Sequence, residues 1–594
     1  MWFIYSARMS RNPTIHIERR IPTRKEAAVF RLKTVFLQAR RLFRDRVSNG
    51  IETFSPADGL SDLPIIASSI TPLWTESEPQ ERLLVAGKIQ NLRIALSRLN
   101  GVEIPAGEVF SFWKHVGRAT KRRGFVEGRE LREGCIIPNI GGGLCQISNA
   151  LYDVALQANL EIIERHRHTK VVAGSLAEHG RDATVFWNYV DLRFRPSKPL
   201  RIEARLDSDN LIVEFRGEKV PRKTLHQITF RTDKPVEIGS CATCEVGDCH
   251  RVIKPPSDRN FGRSGWLVDE YVSEFDGYLQ RERSSEDLLC IPIDGKRFRR
   301  VNYAWNTSGY SEVSESLLVT AVRSYRSRKL SAQGAARLRN LLNMHEALAD
   351  SYAKRLSYNC LHVTVQQNLL PFLWRGGHLG GRTFDVLMTA LPMAEIQTKL
   401  DRAAELHPNS PTLGDFRANP SIVDAETEAL RNARRIVTTH SAIASLFGER
   451  AVLLDWEMPI SATIERLRTN KPTIVFPAST VGRKGCYELR EAIRGLDLKL
   501  ITLGPFIESA DFWDGLDVER GATDWIERAD LVVLPAFIEH KPRRLLLAAS
   551  AGVPVIASEE CGVGSVHGVT VVEAGDTQVL AKTIASAIQH RAAT

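Results

Sequence analysis

Past about residue 260 the chain alternates short apolar runs with helical stretches: NCLHVTV, TFDVLMTA and RRIVTTH, then PTIVFPA, LKLITLG, DLVVLPA, VPVIAS and VTVVEA. Runs that are apolar throughout, and not at every second residue, suit strands of a parallel sheet covered by helices on both faces. The pattern predicts an α/β architecture of two Rossmann-type lobes, with a boundary near Pro459 to Pro472. Ligands in such folds bind where strand ends and helix starts face a cleft. Residues 66–220 follow a different rule. Two helical patterns, KIQNLRIALSRLNG stopped by Gly101 and CQISNALYDVALQAN with Ile147, Leu151, Val154 and Ala158 on one face, sit among extended segments. RDATVFWNYVDLRFR is expected to be extended, with Phe186, Val190, Leu192 and Phe194 on one side; PLRIEARLDSDNLIVEFRG reads as a hairpin turning at Asp207 to Asn210. The expected organisation is a basic segment 1–65, an α+β domain 66–220, a Cys-rich linker 221–258, and lobes 259–460 and 461–594.

Composition sets the setting. At 594 residues, 43% apolar and 25% charged, the chain has no apolar run near the roughly 20 residues of a membrane span. The apolar part of MWFIYSARMSRNP is too short for a signal-peptide core, and nine sparse cysteines suit a reducing compartment, so a cytoplasmic protein is expected. The net charge of +10 is concentrated in residues 1–50, which hold twelve Lys and Arg against Glu18, Glu26 and Asp45. Within them Val29, Leu32, Val35, Phe36 and Phe43 fall near one helical face. That suits peripheral docking on anionic membrane at the inner face, or a solvated basic helix packed on its own protein. Neither an aromatic-interleaved basic patch nor a helix-turn-helix pattern accompanies the charge, so nucleic acid is not expected as a partner.

GGGLCQISNALY carries the chemistry of the first domain. Gly141, Gly142 and Gly143 free the backbone for positive φ and close approach, and they end where the helix begins. Cys145 thus falls in a first turn, where unsatisfied N–H groups and the helix dipole favour a thiolate. A cysteine nucleophile needs a proton partner held by a third group. ERHRHT supplies His166 and His168 on alternating positions, and GRDATV supplies Arg181 and Asp182; spacing alone leaves both histidines open. The alternative is a small buried cysteine beside a tight turn.

These segments also resemble a known family. GKIQNLRIALSRLNGVEIPAGEVFSFW, VGRATKRRGFVEG, GGGLCQISNALYDVAL, ERHRHT and GRDATVFWNYVDLRF, within residues 66–217, are similar to the VanW family in order and spacing. The resemblance implies a cell-envelope role, including glycopeptide-resistance loci, and a cysteine-dependent L,D-transpeptidase-like acyl transfer on peptidoglycan stems. It matches Cys145 and Gln146 of the glycine motif, His168 before Thr169, and Asp182 of GRDA.

CATCEVGDCH places Cys241, Cys244 and Cys249 in a Cys-x2-Cys-x4-Cys run beside His250, a spacing that suits zinc or an iron–sulfur cluster. Reduced structural thiols are the alternative.

The last lobe, roughly residues 461–590, resembles GT-B glycosyltransferases, which use nucleotide-sugar donors. The likeness lies in IVFPASTVGRKGCYELREAI, WIERADLVVLPAFIEH and LLLAASAGVPVIAS. It implies that Lys484 meets the donor diphosphate, with Arg483 as a substitute for the family's first-loop arginine, and that Glu539 is the first of a paired-glutamate motif. The second glutamate is replaced by Leu547, and the usual first-loop arginine by Ser479. The combined expectation is acyl transfer in the middle domain and glycosyl transfer in the C-terminal half, onto a glycan or peptide acceptor. The alternatives are a glycosyltransferase with a non-catalytic VanW-like binding domain, or a metal-stabilised binding scaffold.

Overall fold

A computed structural model describes residues 23–47, 51–132, 135–168, 175–219, 239–241, 258, 260–330, 334–460, 467, 471–521 and 523–593. The first unit is built on a four-stranded antiparallel sheet in the order Ile65–Pro72, Asn210–Gly217, Leu200–Leu206, Glu103–Ile104. Leu200, Ile202, Ala204 and Leu206 alternate with Leu211, Val213 and Phe215 on one buried face. This period-two pattern fixes the register, because a one-residue slip would put every one of these side chains in water. The turn of this hairpin is closed by the Asp207 carboxylate, whose Oδ1 accepts from the N–H groups of Asp209 and Asn210 at 2.8 and 2.6 Å.

Two helices cover the apolar face, Pro79–Leu99 and Cys145–Gln157. Ile147, Leu151 and Val154 are fully buried and Ala158 nearly so, as their spacing predicts. Gly101, at φ 81°, follows the end of the first helix. The segment expected to be extended from residue 181 departs from that expectation: only Arg193–Arg195 is a strand, and Phe186 pairs with Val190 across a turn in which Asn188 has φ 59°.

Each C-terminal lobe is a wholly parallel sheet. The first runs Glu312–Glu315, Leu288–Ile291, Arg263–Leu267, Cys360–Gln366, Thr383–Met388, Arg435–Thr438, Ala451–Leu453. The second runs Asp517–Arg520, Lys499–Thr502, Thr473–Phe476, Leu531–Leu534, Val555–Ser558, Val569–Val572. Numbered within each lobe, the second follows the doubly wound order 3-2-1-4-5-6 and the first the same order with a seventh strand added at the end, and the crevice at the reversal is where such sheets receive ligands. The architecture is an α+β domain followed by a pair of Rossmann-type lobes.

The units interlock. Arg543 reaches from the second lobe to both oxygens of Glu274 in the first, at 2.8 and 2.6 Å. Gly380 and Gly381 press the first lobe against the α+β unit; a Cβ on Gly380 would lie 2.6 Å from that of Leu206. The N-terminal helix Arg24–Val47 docks by polar groups: Arg41 forks onto Glu164 at 2.9 and 2.8 Å, and Gln38 donates to the Trp187 carbonyl. Val29, Leu32, Val35, Phe36 and Phe43 stay exposed. Among the described residues no helix is long and apolar enough to cross a membrane.

Candidate functional site

Cys145 is the first residue of its helix, as the glycine motif predicts. The turn before it tolerates no side chain. Gly143 sits at φ 98°, and a Cβ on Gly142 would meet the Gly128 carbonyl oxygen at 2.3 Å. Asn91, wholly buried, clamps the turn by donating to the carbonyls of Gly142 and Val126 at 2.9 and 3.0 Å and accepting from the Val126 N–H. Lys88 lies along Gly143 and donates to the Leu73 carbonyl at 2.9 Å; burial pushes its ammonium down to about 7. No sequence signal singled out Asn91 or Lys88, because both are helix residues whose roles depend on a loop 50 positions away.

The cysteine meets His168 from across the domain. His168 Nδ1 lies 2.5 Å from Asp182 Oδ1, and the His168 backbone N–H donates to Oδ2 at 2.6 Å, so one carboxylate fixes both ring and backbone. Asp182 is 4% exposed, and its neighbour Ala183 is tied to the cysteine helix: its N–H donates to Asn149 Oδ1, and its carbonyl accepts from Ser148 Oγ. Cys145 Sγ lies 3.7 Å from Thr184 Oγ1 and 3.8 Å from the Val185 carbonyl. Burial alone would push the thiol up, yet the hydrogen bond and charge of His168 outweigh it and hold Cys145 below the ordinary thiol range. Burial likewise opposes charge on His168, but Asp182 and the Cys145 thiolate prevail and push the imidazole up to about 10. Each group therefore favours the charged form of the other.

His166 turns away to Glu164 at 3.2 Å, and Arg181 pairs with Asp153 at 3.4 Å. The Gln146 amide donates to Thr71 Oγ1 and the Pro72 carbonyl, both at 2.9 Å, anchoring the helix start to the edge of the sheet.

Residues 87–216 match the family profile described as "VanW like protein". They form a VanW-like domain. "Vancomycin B-type resistance protein VanW" of Enterococcus faecalis (strain ATCC 700802 / V583) is 34% identical over 158 residues, 25% of this chain and 56% of that protein. "Uncharacterized protein YoaR" of Bacillus subtilis (strain 168) is 29% identical over 140 residues, 23% of this chain and 46% of that protein. The chain thus spans about half the length of the curated relatives it matches. Among solved structures, the lipopolysaccharide outer core galactosyltransferase WaaB is similar at 12% identity and TM-score 0.32, covering 56% of this chain and 90% of its own. Sucrose-phosphate synthase of Thermosynechococcus elongatus is similar at 13% identity and TM-score 0.35, with coverages of 55% and 89%. These structural likenesses concern fold alone.

In the second lobe the residues singled out from its sequence converge where it faces the first lobe. Lys484 Nζ donates to Glu539 Oε2 at 2.9 Å and to the Ile538 carbonyl at 2.8 Å. Burial would raise Glu539, but the Lys484 charge and two backbone donors bring it down to about 2. The Arg483 guanidinium lies over the Phe416 ring, 5.2 Å from its centre, and its carbonyl accepts from the N–H groups of Phe537 and Ile538. Ser479 packs under Gly504 and Leu547 is half-buried on the helix Arg543–Ser550.

Two polar groups here had no sequence signature. Glu508 takes the Gly482 N–H at 2.5 Å together with Ser410, Thr412 and Tyr487, joining the lobes at the glycine–lysine turn. Asp269, fully buried after the first strand of the first lobe, accepts from Arg323 at 2.6 and 2.8 Å and from Asn368 at 2.6 Å. Glu270 beside it pairs with Lys541 of the second lobe.

Of the cysteine run, Cys244, Cys249 and His250 lie outside the described residues. Cys241 is half-buried and its N–H donates to the Ile136 carbonyl at 2.8 Å. Cys290 is sealed in the first lobe's core, and burial pushes its thiol up, which makes it a poor metal ligand. Among the described residues no cluster of three or more His, Cys, Asp or Glu is arranged to hold a metal.

Proposed function

We propose that the VanW domain carries out acyl transfer through Cys145, with His168 as proton carrier and Asp182 as its orienting partner. The observation that carries this is the Cys145–His168–Asp182 chain, held at a helix start with both Asp182 oxygens committed to His168, in which each of the first two groups stabilises charge on the other. The thiolate attacks an amide carbonyl, and the electron pair of the C=O bond moves to oxygen. Collapse of that intermediate expels the amine, which takes the His168 proton, and leaves a thioester. An incoming amine then gives a proton to His168 and its lone pair to the thioester carbonyl; the cysteine leaves as thiolate. Stem-like peptides with a free amine suit this chemistry, and the relative named as a vancomycin-resistance protein supports a cell-envelope setting. Labelling the folded chain with a thiol electrophile should modify Cys145 well before Cys135 or Cys360; equal rates would remove the proposal.

For the C-terminal lobes, comprising about 259–460 and 461–594, the proposal is nucleotide-sugar-dependent glycosyl transfer. Lys484, Arg483 and Glu539 at one crevice support it. A donor diphosphate would compete with Glu539 for Lys484 and release that carboxylate for sugar or ribose hydroxyls. Screening UDP-, GDP- and dTDP-sugars should give one donor that raises the melting midpoint of wild type and not of Lys484→Ala. No shift with any donor would leave these lobes as a binding scaffold.

The proposed setting is cytoplasmic and peripheral, with the exposed apolar side chains of Arg24–Val47 and the cations of residues 1–50 touching anionic lipid at the inner face. For the run Cys241, Cys244, Cys249 and His250 we retain zinc or an iron–sulfur cluster as a proposal. Metal analysis of the whole chain tests it: Cys244→Ser should lower bound metal, and unchanged content would end the idea.

A further inference from the structure

The helix Leu317–Arg328 of the first lobe is built inside out. Its buried positions are polar. Thr320 Oγ1 donates to the Pro292 carbonyl at 2.9 Å, and Arg323 reaches inward to Asp269. Its outward side carries an apolar stripe: Leu318 is 84% exposed, Tyr325 61% and Val322 44%, at i, i+4 and i+7. The neighbouring turn adds Val301, 80% exposed, and Phe298. That turn adjoins the helix, since the Asp294 N–H donates to Glu315 at 3.1 Å and Thr320 is bonded to Pro292.

Single exposed apolar residues are ordinary on a soluble protein, but a stripe at helical spacing beside two more is an interaction surface. Its rim names the occupant. Seven Lys and Arg fall within residues 296–300 and 326–329. The Lys329 ammonium sits 4.4 Å from the centre of the Tyr325 ring, and the Arg297 guanidinium 4.8 Å from that of Phe298. Aromatic rings capped by long cationic side chains suit the boundary between acyl chains and headgroups, where the rings enter and the charges stay with phosphate. We propose that this face seats the first lobe on an anionic phospholipid bilayer. It extends the membrane contact proposed for residues 1–50 but rests on different residues. Arg323 projects from the opposite side of this helix to Asp269, and Glu270 next to it pairs with Lys541, so the lipid-facing helix lies one side chain from the interlobe crevice.

Flotation of the full chain with vesicles of phosphatidylcholine, alone or with roughly one third phosphatidylglycerol, tests the proposal. Wild type should float with the anionic vesicles only, and less as salt rises. Leu318→Glu/Tyr325→Glu should reduce the bound fraction by about tenfold or more with an unchanged melting midpoint, because both side chains already face water. Leu32→Glu/Phe36→Glu, in the N-terminal helix, should leave residual binding. If Leu318→Glu/Tyr325→Glu floats like wild type while Leu32→Glu/Phe36→Glu does not float, the first-lobe surface is overturned and the N-terminal contact stands. A fall of several degrees in the midpoint of Leu318→Glu/Tyr325→Glu would also overturn it, since the stripe would then be packed against protein. A wild type that never floats overturns both contacts.

Discussion

Replacing His168 with alanine should slow alkylation of Cys145 at pH 7 by about 100-fold. With His168 present the thiol is held below its ordinary range, against its burial, and its thiolate fraction is raised. Without it, burial is opposed only by the Val185 and Thr184 contacts, and a cysteine with a pKa of about 9 is only about 1% thiolate at pH 7. The pH profile carries the sign. In wild type the reactive thiolate appears as pH rises through the lowered cysteine value. The imidazolium persists until its own proton leaves near about 10. Acyl transfer, which needs thiolate and imidazolium together, should therefore fall on the alkaline side near that value, and alkylation, which needs only thiolate, should not. Asp182→Asn should keep the cysteine in place and move the alkaline limb to lower pH, because Asp182 is the largest influence holding the proton on the ring. A His168→Ala protein that alkylates at the wild-type rate would show that the helix start, and not the histidine, activates the thiol.

The second large effect lies in the turn that presents the cysteine. Gly142→Ala should cost about 4 kcal/mol or more, the range reached when backbone has nowhere to move. The added Cβ would sit 2.3 Å from the Gly128 carbonyl oxygen and 2.5 Å from its carbon, both main-chain atoms of a paired strand. Gly107→Ala is the matched control. That residue has φ 81° but no atom within 4 Å of the added Cβ, so it should lose only about 1 kcal/mol of backbone preference. Hydrogen exchange across Cys145–Gln157 should accelerate in Gly142→Ala and stay unchanged in Gly107→Ala. The Cys145 rate advantage over Cys135 should vanish with the turn.

Much of this site is visible in one dimension because its parts are local. Three glycines, a helix start and a cysteine occupy five adjacent positions, and their geometry follows from backbone rules. The partner histidine is different. His166 and His168 sit two residues apart, and what separates them is a carboxylate fourteen residues on that bonds one ring while Glu164 draws off the other. The extended segment expected from residue 181 fails for a related reason. The Ala183 N–H and C=O are taken by Asn149 and Ser148, and the Thr184 N–H goes to the His166 carbonyl, so the segment has no ladder to join until Arg193. Alternating side chains cannot reveal that the backbone partners are side chains of a helix. In the lobes, strands such as Leu531–Leu534 and Val555–Ser558 are buried at every residue and stand out from sequence. The helix Leu317–Arg328 has equally clear periodicity, but period alone does not say which face meets the sheet, and its orientation emerges only from Arg323 meeting Asp269.

The junction at Gly380 and Gly381 bears on how this chain can be handled. The Gly381 N–H donates to the Asp207 carbonyl at 2.6 Å, Arg93 caps the Gly380 carbonyl at 2.6 Å, and Gly381 lies against Ile89 and Leu73. The hairpin tip of the VanW domain is thus a wall of its neighbour, not a bead on a string. Expressed apart, each half would bare a strip of the other's core. Ile89, Leu73 and Leu206 would become sticky ends, and assays on the separated pieces would describe a wounded protein.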